Sequence, residues 1–255
     1  MLEGLINIAG VYVLVLFRVA GMMVFAPLLG STRIPRRVRG LMAIVLAAAI
    51  APSVAAPAQM PQNAWDMTIA IGGEICFGLA MGFILSIIFV AAQWAGEIIG
   101  QQMALNLGET FDPQFGGHTS AIGDAYYFLT LLIFLAIDGD RAMLRGVHDS
   151  FGPLPLLSVG INRSILSMIV GLFGAATKLA MQLAAPVLVT MLIVDLVLGF
   201  VGKTVPQLNI MTAGIALRSL VGMLVIVVGL SLTSSVIRDA LFDAMKTLYA
   251  DYTTR

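Results

Sequence analysis

Six apolar runs restrict what this chain can fold into more than any other feature. They cover residues 4–29, 41–56, 63–95, 122–137, 164–200 and 210–237. A bilayer-crossing helix needs about 20 apolar residues, and four of the six runs exceed that. Charged residues make up 11% of the chain, against about a quarter in soluble domains, and the mean hydropathy is +0.98. The implied fold class is all-α: an integral membrane protein of about six long helical segments, some kinked or hairpin-like, in a single domain over residues 1–255.

Fourteen basic and fourteen acidic residues cancel, so net charge gives no pull toward nucleic acid. The lone cysteine, Cys76, sits in an apolar run and reads as a small hydrophobe. The amino terminus has no basic residue before Arg18, and its apolar run is longer than a signal-peptide core, so a retained membrane helix is expected there.

Charges inside the runs are the first candidates for function. Arg18 is the single charge of run 4–29, Glu74 lies mid-run in 63–95, Lys178 and Asp195 share run 164–200, and Arg218 lies in the last run. A charge at membrane depth is expensive unless it meets protein or water, so each needs a partner, expected in another subunit because none is evident within its own segment. Lys178 and Asp195 are four to five turns apart and cannot pair along one helix. Pro186, inside the same 37-residue run, is expected to mark a kink or a hairpin.

Arg33, Arg36, Arg37 and Arg39 crowd the connection 31–40, a topology signal that places it on the cytoplasmic side; a docking surface for cytoplasmic or anionic-lipid partners is the less favoured extra role. Gly78 and Gly82 form a small-xxx-small pair suited to close helix approach, and Gly96 and Gly100 repeat the spacing. Tyr126, Tyr127 and Phe128 suit an interface anchor. Residues 138–163 read as an extramembrane turn region around Gly152-Pro153-Leu154-Pro155, and residues 238–255 as an amphipathic tail.

One polar, glycine-rich stretch interrupts the apolar pattern, residues 96–117, GEIIGQQMALNLGETFDPQFGG. Its first half is apolar with amides. Its second half combines two carboxylates, a proline and three glycines, which reads as a helix end followed by a loop.

This stretch, continued through Ala136-Ile137-Asp138-Gly139, resembles the signature region of the FliR family of flagellar export-gate proteins, whose injectisome relatives are called SctT. Ala185-Pro186, Asp195-Leu196 with Gly199, and Val205-Pro206-Gln207-Leu208-Asn209 follow in the family's order. Ala104 stands where the pattern has glycine, and Asp140 where it has histidine. The resemblance implies an inner-membrane subunit of the flagellar basal body, without cofactor. Its partners would be FliP and FliQ subunits, FlhB, unfolded export substrates and membrane lipid, in a helical multi-subunit assembly. Under that reading the loop Gly108, Glu109, Thr110, Phe111, Asp112, Pro113, Gln114, Phe115, Gly116 and Gly117 plugs the closed pore. Gln101, Gln102, Met103, Leu105 and Leu107 line it or form its gasket, and Arg18, Glu74, Lys178, Asp195 and Arg218 meet neighbouring subunits.

The two histidines, His118 and His148, have no companions at zinc-ligand spacing, and no phosphate-binding loop, dinucleotide fingerprint or nucleophile elbow occurs. Enzymatic function has no sequence basis. Without the resemblance, a channel subunit and a proton-coupled secondary transporter using Glu74, Lys178 and Asp195 stay close; with it, the export-gate subunit leads, for flagellar or injectisome substrates.

Overall fold

The computed structural model describes residues 2–30, 34–57, 61, 63–105, 120–157, 164–205 and 210–250. Among these, every regular element is helical: α1 (Leu2–Phe25), α2 (Arg36–Ile50), a 3-10 turn (Ala51–Ser53), α3 (Ala64–Gln102), α4 (Ala121–Ala136), α5 (Gly139–Asp149), α6 (Ser164–Thr204) and α7 (Ile210–Ala250). Four helices are long and apolar enough to cross a membrane, or five if the bent pair α4 and α5 counts as one span, fewer than the six segments expected.

Several boundaries differ from the sequence expectation, each for a physical reason. The arginine-rich connection is partly helix, because α2 begins at Arg36 behind Pro35, whose fixed φ suits a helix start. Run 164–200 is not a hairpin: α6 continues through Pro186 for 41 residues, about 60 Å. Proline removes one helix hydrogen bond, and neighbouring turns carry the helix across the gap; one turn later the Thr190 hydroxyl donates to the Pro186 carbonyl at 2.8 Å. Residues 238–250 are not a separate tail but the last turns of α7. Within 138–163, the segment Gly139–Asp149 is a helix, set at 67° to α4. The bend falls at Asp138, held in the left-handed region at φ 55, a conformation that aspartate tolerates better than most residues. Gly139 follows because a Cβ there would run into the Phe134 ring.

The chain divides into two compact units. Unit one takes the described residues up to Ile87, Phe134–Leu172 and those from Leu241. In it α1 crosses α3 at backbone contact, as the Gly78 and Gly82 spacing predicts. A Cβ on Gly78 would overlap the Arg18 carbonyl oxygen, one on Gly82 the Met22 carbonyl oxygen, and one on Gly21 would lie 2.6 Å from the Ile75 oxygen. Leu14, Val15, Val19 and Met22 of α1 are sealed from solvent. Phe25 and Phe83 meet edge to face at 5.7 Å.

Unit two takes Ile88–Ile133 and Phe173–Ala240. Here Gly96 of α3 lies against α4, where an added Cβ would be 2.6 Å from the Gly123 Cα, so the first glycine of the second predicted pair also marks a close approach. Phe89 and Tyr127 stack edge to face at 5.7 Å. The candidate spans of α6 and α7 are only 22% and 11% buried, leaving large side chains such as Leu196, Phe200, Leu220 and Val228 bare.

Candidate functional site: two ion pairs and the residues before the central loop

Arg18 and Glu74, each expected to face another subunit, instead face each other within unit one. Arg18 Nε donates to Glu74 Oε2 at 2.5 Å, and both side chains are fully buried. The rest of the guanidinium is also occupied. Nη1 donates to Ser150 Oγ at 3.1 Å, and both Nη1 and Nη2 donate to the Leu154 carbonyl at 3.2 Å. Its carbon lies 4.8 Å from the Phe77 ring centre and 4.2 Å from that of Phe151, so the cation is held between two aromatic faces.

Glu74 uses its second oxygen on the backbone. Oε1 accepts the Leu157 N–H at 3.3 Å. Leu157 has φ 72, a left-handed conformation that is unfavourable for a branched side chain by about 1–2 kcal/mol. The pair therefore fastens the segment after α5 to α1 and α3. Ser150, Leu154, Leu157, Phe77 and Phe151 were not legible as parts of this centre, because their roles depend on contacts 59 to 136 positions away in sequence.

The second pair lies in unit two. Arg218 Nη2 of α7 is 2.8 Å from Asp195 Oδ1 of α6, with side chains 37% and 40% exposed. It is close in distance but poorly directed: neither Asp195 Oδ1 nor Arg218 Nε has a hydrogen-bond partner among the described residues. Leu196 and Leu220, one and two positions along the chain from the pair, are exposed. Lys178 is exposed and makes no ion pair among the described residues.

Of the residues expected to line a pore or seal it, the structure separates one from the others. Met103 is completely buried in unit two, its side chain filling the space over Gly222 and its carbonyl accepting the Ser219 hydroxyl at 3.2 Å. Gln101, Gln102 and Leu105 are exposed. Ala104 has φ 58, so the position where glycine was anticipated is one whose backbone favours glycine. Leu107 and the proposed plug, 108–117, lie outside the described residues.

No group of three or more histidine, cysteine, aspartate or glutamate side chains that could hold a metal occurs among the described residues. His148 instead bridges Ser53 and Asp149, each at 3.0 Å, at the surface of unit one.

Comparison with known proteins adds what this geometry cannot. A profile of the family described as bacterial export proteins, family 1, matches residues 9–244. The chain is 28% identical over 250 residues to the flagellar biosynthetic protein FliR of Bacillus subtilis, covering 97% of this chain and 96% of that one. It is 30% identical to FliR of Escherichia coli over 207 residues, 81% of this chain and 79% of the relative. It is 25% identical to the Yop proteins translocation protein T of Yersinia pestis over 185 residues, 72% and 71% of the two chains. The alignment spans α1 to α7, both ion pairs and the stretch between α3 and α4, and on that extent the chain belongs to the FliR family of bacterial export proteins.

Proposed function

We propose that this protein is a non-enzymatic core subunit of the flagellar type III export gate in the bacterial inner membrane, forming with FliP and FliQ the channel for unfolded substrates and contacting FlhB. Family membership supports a component of a type III export apparatus. The observation that carries the subunit reading is the Asp195–Arg218 pair. It is half-open, incompletely hydrogen-bonded, and set in two helices whose apolar faces are mostly bare. A charge pair facing hydrocarbon is costly, whereas a neighbouring subunit can supply the missing hydrogen bonds. Lys178 is assigned to a subunit contact on the same ground. Arg18 and Glu74 are not, since each already has its partners within the chain.

The loop 108–117 is proposed as the plug of the closed pore. An unplugged protein-sized pore would drain the membrane potential, and a loop with Phe111 beside Gly108, Gly116 and Gly117 combines apolar contact with backbone freedom. Deleting 108–117 should leave the assembly intact but make cells leak ions or small solutes. An assembled deletion mutant that holds its membrane potential would refute the plug.

Purification in mild detergent tests the subunit reading independently: FliP and FliQ should co-purify. Recovery of a stable, monodisperse monomer from cells that make those proteins would overturn it. An injectisome setting is the second reading, favoured by the similarity to the Yersinia pestis protein. The transporter reading loses Glu74 as a relay group, because both of its oxygens are engaged. Solute uptake by vesicles holding this protein alone would restore it.

A further inference from the structure

Unit one contains an open groove of about 380 Å³ to which the proposed function assigns no role. One wall is the corner after α1, Pro27 to Leu29; the second is α2, through Leu41, Met42, Val45 and Leu46; the third is α5, through Met143 and Leu144. The size falls within the roughly 300–1,000 Å³ of ligand-binding clefts, and the lining is apolar except for Asp140.

Two arginines, Arg36 and Arg37, open α2 just ahead of the part that lines the groove. Arg37, Leu41 and Val45 follow one another at four-residue spacing and so occupy one row of α2, with Arg37 one turn beyond the apolar wall. Arg36 and Arg37 are exposed and make no ion pair or hydrogen bond among the described residues, and the first turn of α2 holds no acidic residue to neutralise them. The candidate span of α1 ends at Phe25, two residues before Pro27, so this end of the groove lies where a membrane span gives way to the headgroup layer. The arginine-rich side is also the cytoplasmic side by the positive-inside rule.

We propose that this groove is a binding site for one anionic glycerophospholipid, with an acyl chain along Leu41 and Val45 and the phosphate at Arg36 and Arg37. The occupant follows from charge complementarity. A partner's apolar side chain would fill the groove and leave both guanidiniums unanswered, while a zwitterionic lipid would answer them only in part. Asp140 opposes an anion on the α5 wall and directs the phosphate to the α2 side. The site depends on membrane residence alone and stands whether or not the channel reading holds.

The test uses the full chain, purified with whatever subunits accompany it, in vesicles of phosphatidylcholine with or without phosphatidylglycerol. Lipid retained after extraction is read by native mass spectrometry. Wild type should retain phosphatidylglycerol in preference to phosphatidylcholine. The variant R36Q/R37Q should lose that preference, on the order of five-fold for each arginine. V45W should fill the groove and reduce retention of either lipid while the arginines remain. D140N should strengthen the preference for phosphatidylglycerol. An unchanged lipid preference in R36Q/R37Q overturns the proposal. So does a photo-crosslinker at Val45 that captures a protein subunit in place of lipid. Failure of FliP and FliQ to co-purify would bear on the channel reading and not on this one.

Discussion

Two interhelical charge pairs in the same chain have opposite finish. In unit one, Arg18 and Glu74 are sealed from solvent, and hydroxyl, carbonyl and amide partners from the chain itself complete their hydrogen bonding. In unit two, the Asp195 and Arg218 side chains are more than a third exposed, their contact is off the hydrogen-bond direction, and Asp195 Oδ1 and Arg218 Nε are covered without a hydrogen-bond partner among the described residues. A charge pair taken out of water is tolerated when every remaining donor and acceptor is answered, and it is a liability otherwise. The first pair therefore belongs to the folding of the subunit. The second, on the function proposed here, is reserved for assembly, where another chain would bring the missing partners.

The largest effect expected from this contrast is in unit one. Arg18→Met leaves Glu74 buried without its counter-charge and should destabilise the protein by about 3–5 kcal/mol. The check is thermal unfolding of the detergent-purified protein, together with its abundance in membranes. Replacing both partners, in R18M/E74L, should recover most of the loss, because no orphan charge remains. Equal damage from the single and double changes would mean that the hydrogen bonds to Leu154 and Leu157, and not the ion pair, carry the stability.

Glycine substitutions sharpen the comparison at the next level. Gly78→Ala places a methyl group on the Arg18 carbonyl, backbone against backbone, and should cost about 1–3 kcal/mol as α1 and α3 separate. Gly222→Ala meets the Met103 side chain from Cγ to its methyl but no backbone, and an unbranched side chain can rotate away, while alanine improves helix propensity. Its stability should stay within about 1 kcal/mol of wild type. If the two alanines proved equally harmful in the same unfolding assay, the Met103 contact would be as rigid as the α1–α3 crossing.

A gain is expected at Ala104. Glycine there removes the left-handed strain at φ 58, a stabilisation of about 1 kcal/mol, visible as a raised unfolding midpoint. No gain would indicate that the residue leaves this conformation in solution.

The smallest effect on the isolated chain is assigned to Asp195→Asn, on the order of 1 kcal/mol or less for a pair so exposed. Its consequence should appear in assembly, as reduced recovery of the co-purifying subunits at unchanged monomer stability. If monomer stability fell as far as in Arg18→Met, the two pairs would be the same kind of structural element after all.

What could be read in the sequence was what depends on neighbours along the chain. Run length and composition indicate a helical membrane protein, because a span must satisfy its own backbone hydrogen bonds and needs a minimum apolar length. Pro27 correctly signals the end of α1, and the spacing of Gly78 and Gly82 correctly announces a close crossing, since small residues one turn apart leave a flat strip on one helix face. The family order of motifs was equally legible, because it is a property of the string. The anticipated glycine at position 104 turned out to mark a left-handed backbone that alanine occupies at some strain.

Three things were decided only by the tertiary structure. The partner of each charge is one: helical periodicity tells which face Arg18 occupies but not that Glu74, 56 positions on, completes it from another helix. The continuity of α6 through Pro186 is another, because a proline's local penalty of about 3 kcal/mol is set against the helix on either side of it. The last is the division among the residues before the central loop. Met103 is sealed over Gly222 while Leu105, equally apolar, is exposed, a distinction made by the position of α7 and not by hydrophobicity.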